Sequence, residues 1–249
     1  LRYRGTIMPV NNHHLQYKYF EPIWTTIDDF VLGEQQVKSR TTHYLPMSDD
    51  WTEQQYNEYL ELAPFTNFTV RTINALLGAM FLKDPLVVLP PSIEHLKDNA
   101  DGKRNSLLQL VRRVALEGIK KGRSGLYVDF PRVDTDLGDR NISYADTANL
   151  KPNITHYDAL SVINWDEDSQ GLTKVILKEQ YKHEYDEFYW EYRDQYRVLR
   201  LDNGVYKVQV YHEAKLVEEF SPTAQGRTLD FIPFTFCGAV NNDSDCDNS

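Results

Sequence analysis

The stretch QYRVLRLDNGVYKVQVY, residues 195–211, decides the fold class of the second half of the chain. Asp202-Asn203-Gly204 at its centre is a hairpin signal, because Asn and Gly tolerate the positive φ that a tight turn between antiparallel strands demands. After the turn, Tyr206, Val208 and Val210 alternate with Lys207 and Gln209, the period-two pattern of a half-buried antiparallel strand. Working outward, strands are predicted at 159–165, 172–180, 195–201, 205–211, 215–220 and 234–237. The segment 181–194 is crowded with Tyr, Glu and Asp and reads equally as a wide hairpin end or a short helix.

Upstream the texture is helical. Residues 1–22 show little periodicity and read as an extended arm. Ile23, Ile27, Phe30 and Val31 then recur at helical spacing up to Val37, with Gly33 interrupting or ending the helix. Ser48 or Asp49 is positioned to cap a helix from Trp51 to Ala63, with Tyr56, Tyr59, Leu60 and Ala63 on one face. The segment 65–82 is so apolar that it reads as the buried core helix of this half, stopped by Asp84-Pro85. Another helix opens at Ser106 and ends at Gly122, and residues 125–130 follow as a buried strand closed by Pro131. The fold class is therefore α+β: a helical bundle-like region with one or two strands over 1–131, then a small antiparallel β domain over 154–240. A polar loop or seam at 132–153 separates them, and 241–249 reads as a solvated acidic tail.

The chain has 249 residues, 41% hydrophobic and 26% charged, a composition that supports packed cores. No apolar run reaches the roughly 20 residues a spanning helix needs. The start at Leu1, without an initiator Met or an apolar signal core, reads as that of a fragment or a trimmed chain. A net charge of −10 argues against a freestanding nucleic-acid binder. The two cysteines, Cys237 and Cys246, form no CxxC pair, so neither a disulfide framework nor a zinc site is expected, and assembly inside a cell is the simpler inference. The three sequons at Asn67, Asn141 and Asn153 are read as unmodified.

Signals for catalysis are sparse. GxSxG, HExxH, GxxxxGK[ST] and GxGxxG are all missing, and no cofactor is expected. His13-His14 would point to opposite sides of an extended arm and reads as surface histidine rather than a metal site. Asp243-Ser244-Asp245-Cys246-Asp247 copies the alternating oxygens of a calcium loop but has Asn248 where the loop needs Gly. Asp166 and Glu167, after Trp165, offer paired carboxylates of the kind glycosidases use, without a separated second acid. The aromatic run Tyr181, Tyr185, Phe188, Tyr189, Trp190, Tyr192 and Tyr196 is interleaved with acids rather than cations, which favours subunit contact or sheet packing over base stacking. Arg112, Arg113, Lys120, Lys121 and Arg123 form the concentrated basic feature; they are the candidate contacts to DNA or an acidic partner, set against a solvated helix face and C-cap.

Several collinear pieces resemble a tailed-phage family catalogued as a domain of unknown function and often labelled portal protein. They are Val37-Lys38-Ser39 with Tyr44-Leu45-Pro46, the segments 56–63, 65–72, 77–85 and 122–131, Val162-Ile163-Asn164-Trp165, the segment 195–199, and Ile232-Pro233-Phe234. In them Gly78 reads as permitting close helix approach, while Gly122 and Gly125 frame a helix-to-strand turn. The resemblance implies the N-terminal half of a portal-type subunit, its helices forming the wing. It further implies a twelve-subunit ring of identical copies, with the capsid, a head–tail adaptor and the terminase motor as partners and double-stranded DNA passing through the channel. The site would be the virion, assembled in the host cytoplasm, with no membrane, no small-molecule substrate and no bond chemistry in the subunit. A head–tail adaptor or other minor virion protein is the first alternative, and a carbohydrate hydrolase acting near Trp165 the second.

Overall fold

A computed structural model of the chain describes residues 10–130, 151–224 and 227–246. The helices are α1 (Leu15–Leu32), α2 (Glu34–Ser39), α3 (Glu53–Leu62), α4 (Phe68–Met80) and α5 (Leu107–Lys121). The strands are β1 (Arg123–Asp129), β2 (Asn153–Asp158), β3 (Val162–Asp168), β4 (Gly171–Glu184), β5 (Trp190–Asp202), β6 (Val205–His212), β7 (Lys215–Phe220), β8 (Thr223–Ala224), β9 (Arg227–Thr228) and β10 (Phe234–Gly238). Helices followed by antiparallel sheets make the fold α+β, as the patterning implies.

The hairpin at 202–205 forms as its residues demand. Asp202 pairs with Val205, and Asn203 and Gly204 take φ of 51° and 75°. Tyr206, Val208 and Val210 all point inward and are buried. This hairpin sits in a five-stranded meander, β3-β4-β5-β6-β7, in which Val175, Leu199 and Val208 line up across three strands on one face. Ile176 and Val198, on the opposite face, are buried too, so both sides of the sheet's centre are covered.

A second, three-stranded sheet has the order β10-β1-β2, with β1 antiparallel to both neighbours. The strand that precedes the expected seam therefore pairs with strands on either side of the second half. Residues 132–150 of that seam, with Asn141, lie outside the described residues, as do Pro131 before it and 1–9. A Cβ on Gly125 would collide with the ring of Phe234 on the neighbouring strand, so any larger residue there requires that ring to move. The core is shared, since Tyr17 and Trp24 of α1 pack in one cluster with Tyr127, Trp165, Leu177, Tyr206 and Phe236.

Four expectations are corrected. First, residues 15–22 are helical rather than extended. Pro22 lies inside α1 and removes one helical donor, yet Trp24 and Tyr17 are buried and Phe20 stacks on Trp24 at 5.6 Å, so packing of this aromatic stripe outweighs the lost bond. Second, the cap of α3 is Thr52, closed with Gln55 in a reciprocal capping box, not Ser48 or Asp49. Third, α4 is not a core helix: only Ile73 is buried, while Phe68, Leu76 and Met80 are 67%, 50% and 59% exposed. Nothing among the described residues lies within 4 Å of a Cβ built on Gly78, so the close helix approach expected there is not formed by them. Fourth, 241–246 is docked rather than solvated, with Cys246 and Ser244 buried.

Candidate functional site

The five basic residues singled out by sequence do not share a surface. Gly122 ends α5 in the left-handed conformation and turns the chain into β1, so neighbours in sequence diverge in space. Lys121 is 2% exposed and its Nζ lies 2.7 Å from Asp28, 3.5 Å from Asp158 and 3.6 Å from Glu117. Lys120 is bound by Glu117 at 2.9 Å and Asp28 at 3.1 Å. This cluster ties α1, α5 and β2 together. Arg123 is 3% exposed, with its guanidinium carbon 4.1 Å from the Trp165 ring and 4.0 Å from the Phe236 ring, and it donates to the Cys246 thiol. Burial pushes its pKa below the usual value, opposed by Cys246 and by the charges of Asp243 and Asp245. Lys121 and Arg123 are thus interior residues and Lys120 is spent on carboxylates; Arg112 and Arg113 alone of the five remain exposed. Arg112 pairs with Asp84 at 3.0 Å and lies over the Phe81 ring.

The other candidates are structural as well. His14 caps α1, accepting from the Gln16 N–H at 3.3 Å, and stacks on Trp165 at 4.0 Å. Desolvation, helped by the charge of Arg123, holds its pKa below the ordinary histidine value. His13 packs edge-on against Tyr17. Among the described residues, no group of three or more His, Cys, Asp or Glu is placed to hold a metal ion, and no helix is long and apolar enough to cross a membrane. The acids after Trp165 are engaged: Asp166 lies 3.5 Å from Lys174, Glu167 accepts from Ser244 at 2.7 Å, and Asp168 accepts from the Gln170 N–H at 2.8 Å.

An open cleft of about 560 Å³ is rimmed by Glu21, Asp158, Lys178 and Glu179. Glu179 accepts from Tyr157 at 2.5 Å, Gln195 at 2.5 Å, and Arg197 at 2.8 and 3.2 Å. Burial pushes its carboxyl up, but the bonds and charge of Arg197, with Tyr157 and Gln195, outweigh burial and leave it below the usual glutamate value. A carboxylate with both oxygens fully subscribed has no lone pair left to take a proton from a substrate. Asp158 caps the turn at Ser161 at 2.8 Å, and Lys178 pairs with Asp194 at 2.9 Å. The phenols of Tyr17, Tyr127, Tyr157 and Tyr206 are all shifted upward by burial and stay neutral.

What the structure leaves open is apolar. The β4–β5 hairpin runs past its neighbours: β3 stops pairing at Leu177 and β6 at Gln195, leaving 178–184 and 190–194 as a two-stranded ribbon. Its tip exposes Tyr185, Phe188, Tyr189, Trp190 and Tyr192. The segment left open between hairpin and helix is therefore hairpin, and its aromatics serve surface rather than sheet packing. The second open surface is α4 with the chain after it, where Leu82, Leu86 and Val88 are also exposed. A groove of about 430 Å³ lies between α1, α4 and α5, floored by Ile27, Ile73 and Ile119. Sequence reading missed this surface because its apolar residues look identical to those of a core. No family model matches the chain, and no curated protein matches it.

Proposed function

We propose that this chain is a structural subunit of an oligomeric assembly, in particular the wing portion of a tailed-phage portal ring through which DNA is packaged and ejected. The observation that supports the reading most is the pairing of spent polar groups with unspent apolar ones. The carboxylates and cations that would perform chemistry are bound to one another, while an aromatic ribbon and an apolar helix face stand open. Soluble chains rarely leave such contiguous surface uncovered unless a partner covers it. The collinear motifs supply the specific assembly.

In this role the subunit performs no bond chemistry, and the motor's ATP supplies the work of translocation. Its contribution is a fixed ring geometry and a net charge of −10 that disfavours sticking to the DNA passing through. Arg112 and Arg113 are the remaining candidates for contact with DNA or an acidic neighbour. The test is negative-stain electron microscopy of the product of the complete gene, where rings with a central channel are expected. A product that stays monomeric, or a glycan-cleavage activity that vanishes in Asp166→Asn or Glu167→Gln, would remove the proposal.

A further inference from the structure

Two surfaces of this chain are apolar, exposed and opposite in charge. Around the groove Arg71, Lys83, Arg112 and Arg113 are exposed against Asp84, so cations prevail there, while Lys120 and Lys121 are already neutralised by Asp28, Glu117 and Asp158. The ribbon tip, 181–194, carries Glu184, Asp186, Glu187, Glu191 and Asp194 against Lys182 and Arg193. One surface is a groove and the other a protrusion. Phe188 is 88% exposed at the tip and Leu82 is 83% exposed beside α4, so neither surface is covered by the described residues.

We infer that the aromatic tip of the β4–β5 ribbon docks into the α1–α4–α5 groove of a second copy of this chain, a head-to-tail contact between unlike faces. This deepens the ring-subunit reading and rests on it. Charge selects the pairing. Tip against tip would oppose two surfaces on which five acids outnumber two cations, and groove against groove would oppose cations to cations, both unfavourable. Tip against groove joins acids to cations around an apolar centre. The tip is also already ordered, which lowers the entropy lost on docking. Tyr185 stacks on Tyr189 at 4.9 Å, and Asp186 accepts from the Phe188 and Tyr189 N–H groups, both at 2.8 Å. Because the two faces differ, the contact is heterologous, and repeating it generates a ring when the rotation closes.

The test uses the full chain in sedimentation velocity. Concentration-dependent association that weakens with salt is expected, and Phe188→Asp or Leu76→Glu should each weaken it at least about tenfold. Both side chains are half or more exposed, so each variant should melt at the wild-type temperature. A Phe188→Cys chain mixed with a Leu76→Cys chain should give a disulfide joining positions 188 and 76, found in the mixture and in neither variant alone. A wild-type chain that stays monomeric overturns the inference, as does association untouched by both substitutions. Binding of a monomeric chain to phosphatidylcholine–phosphatidylglycerol vesicles, lost in Phe188→Asp, overturns it too and assigns the tip to a lipid surface. The ring reading fails separately: rings of the complete gene product that ignore Phe188→Asp sink only this contact, whereas a product that forms the 188–76 link but no rings sinks only the portal assembly.

Discussion

Replacing Arg197 with Met tests whether the Glu179 node is structural. The pair is well buried, with side chains 18% and 14% exposed, and Arg197 holds both carboxylate oxygens. Removing one partner of a buried pair costs about 3–5 kcal/mol, chiefly because the other charge is stranded. The residual exposure argues for the lower end, about 3 kcal/mol. At about 2–4 °C per kcal/mol for a chain of this size, the melting temperature should drop by roughly 6–12 °C. Urea denaturation should show the same loss as a lower midpoint with an unchanged slope. Adding Glu179→Gln to Arg197→Met removes the stranded charge while keeping an acceptor for Tyr157, and should recover about 2 kcal/mol.

The pH dependence gives the same argument a sign. In the wild type the Glu179 carboxyl sits below its ordinary value, so its contribution is present above that value and lost as pH falls through the folded one. In Arg197→Met burial is no longer opposed by the guanidinium, and the carboxyl rises. Stability of the variant is then greatest below the ordinary glutamate value and lost as pH climbs. The deficit relative to wild type must therefore shrink on acidification from pH 7 towards pH 4. A deficit that stays constant or grows, or a double variant no better than Arg197→Met, would refute the reasoning.

Three further outcomes follow from single contacts. Gly125→Ala forces a methyl into the Phe234 ring and should cost about 1–3 kcal/mol in urea, partly restored by Phe234→Leu in the same chain. His156 is held below the ordinary histidine value by burial, with Arg113 adding to the shift and Glu117 and Asp158 opposing it; stability present above pH 6.5 should fall as acid charges it, by at most about 1.4 kcal/mol per pH unit. His156→Phe should flatten that slope without abolishing it, because His14 titrates in the same direction. Cys246 is fully buried and Cys237 half-buried, so a thiol reagent should label Cys237 first and Cys246 only on unfolding; equal labelling of both in the native chain would contradict the docked tail.

Local rules were legible wherever a residue's role depends on its immediate neighbours. Asn203-Gly204 specified its turn, Tyr206-Val208-Val210 specified a buried face, and Ser106 with Gly122 bounded α5, because each rests on φ preferences or capping that tertiary structure did not override. Residues 15–22 failed in the opposite way. Their helix depends on Tyr17 and Trp24 finding a core, and Pro22 conceals it from any local rule. Lys121 and Arg123 show the limit most sharply. Two cations separated by one glycine read as a basic patch, yet the left-handed turn at Gly122 sends Lys121 to Asp28, Glu117 and Asp158 and places Arg123 opposite Gly238, between two rings.

The misreading of α4 carries a different lesson, about energy rather than geometry. Periodicity measures how much apolar area a helix must remove from water, and it is silent on whose atoms remove it. Phe68, Leu76 and Met80 would each contribute on the order of 1.5–3 kcal/mol if fully buried, whether by the same chain or by a neighbour. Among the described residues Tyr17 and Trp24 of α1 already fill the core with the sheet, so α4 is left to lie on the flanks of α1 and α5 with Ile73 alone buried. Such an uncovered apolar helix is what the proposed ring subunit would need at an interface. The aromatic ribbon poses the same question, since beyond Leu177 and Gln195 it is two-stranded, and on the proposed docking a second copy would cover it.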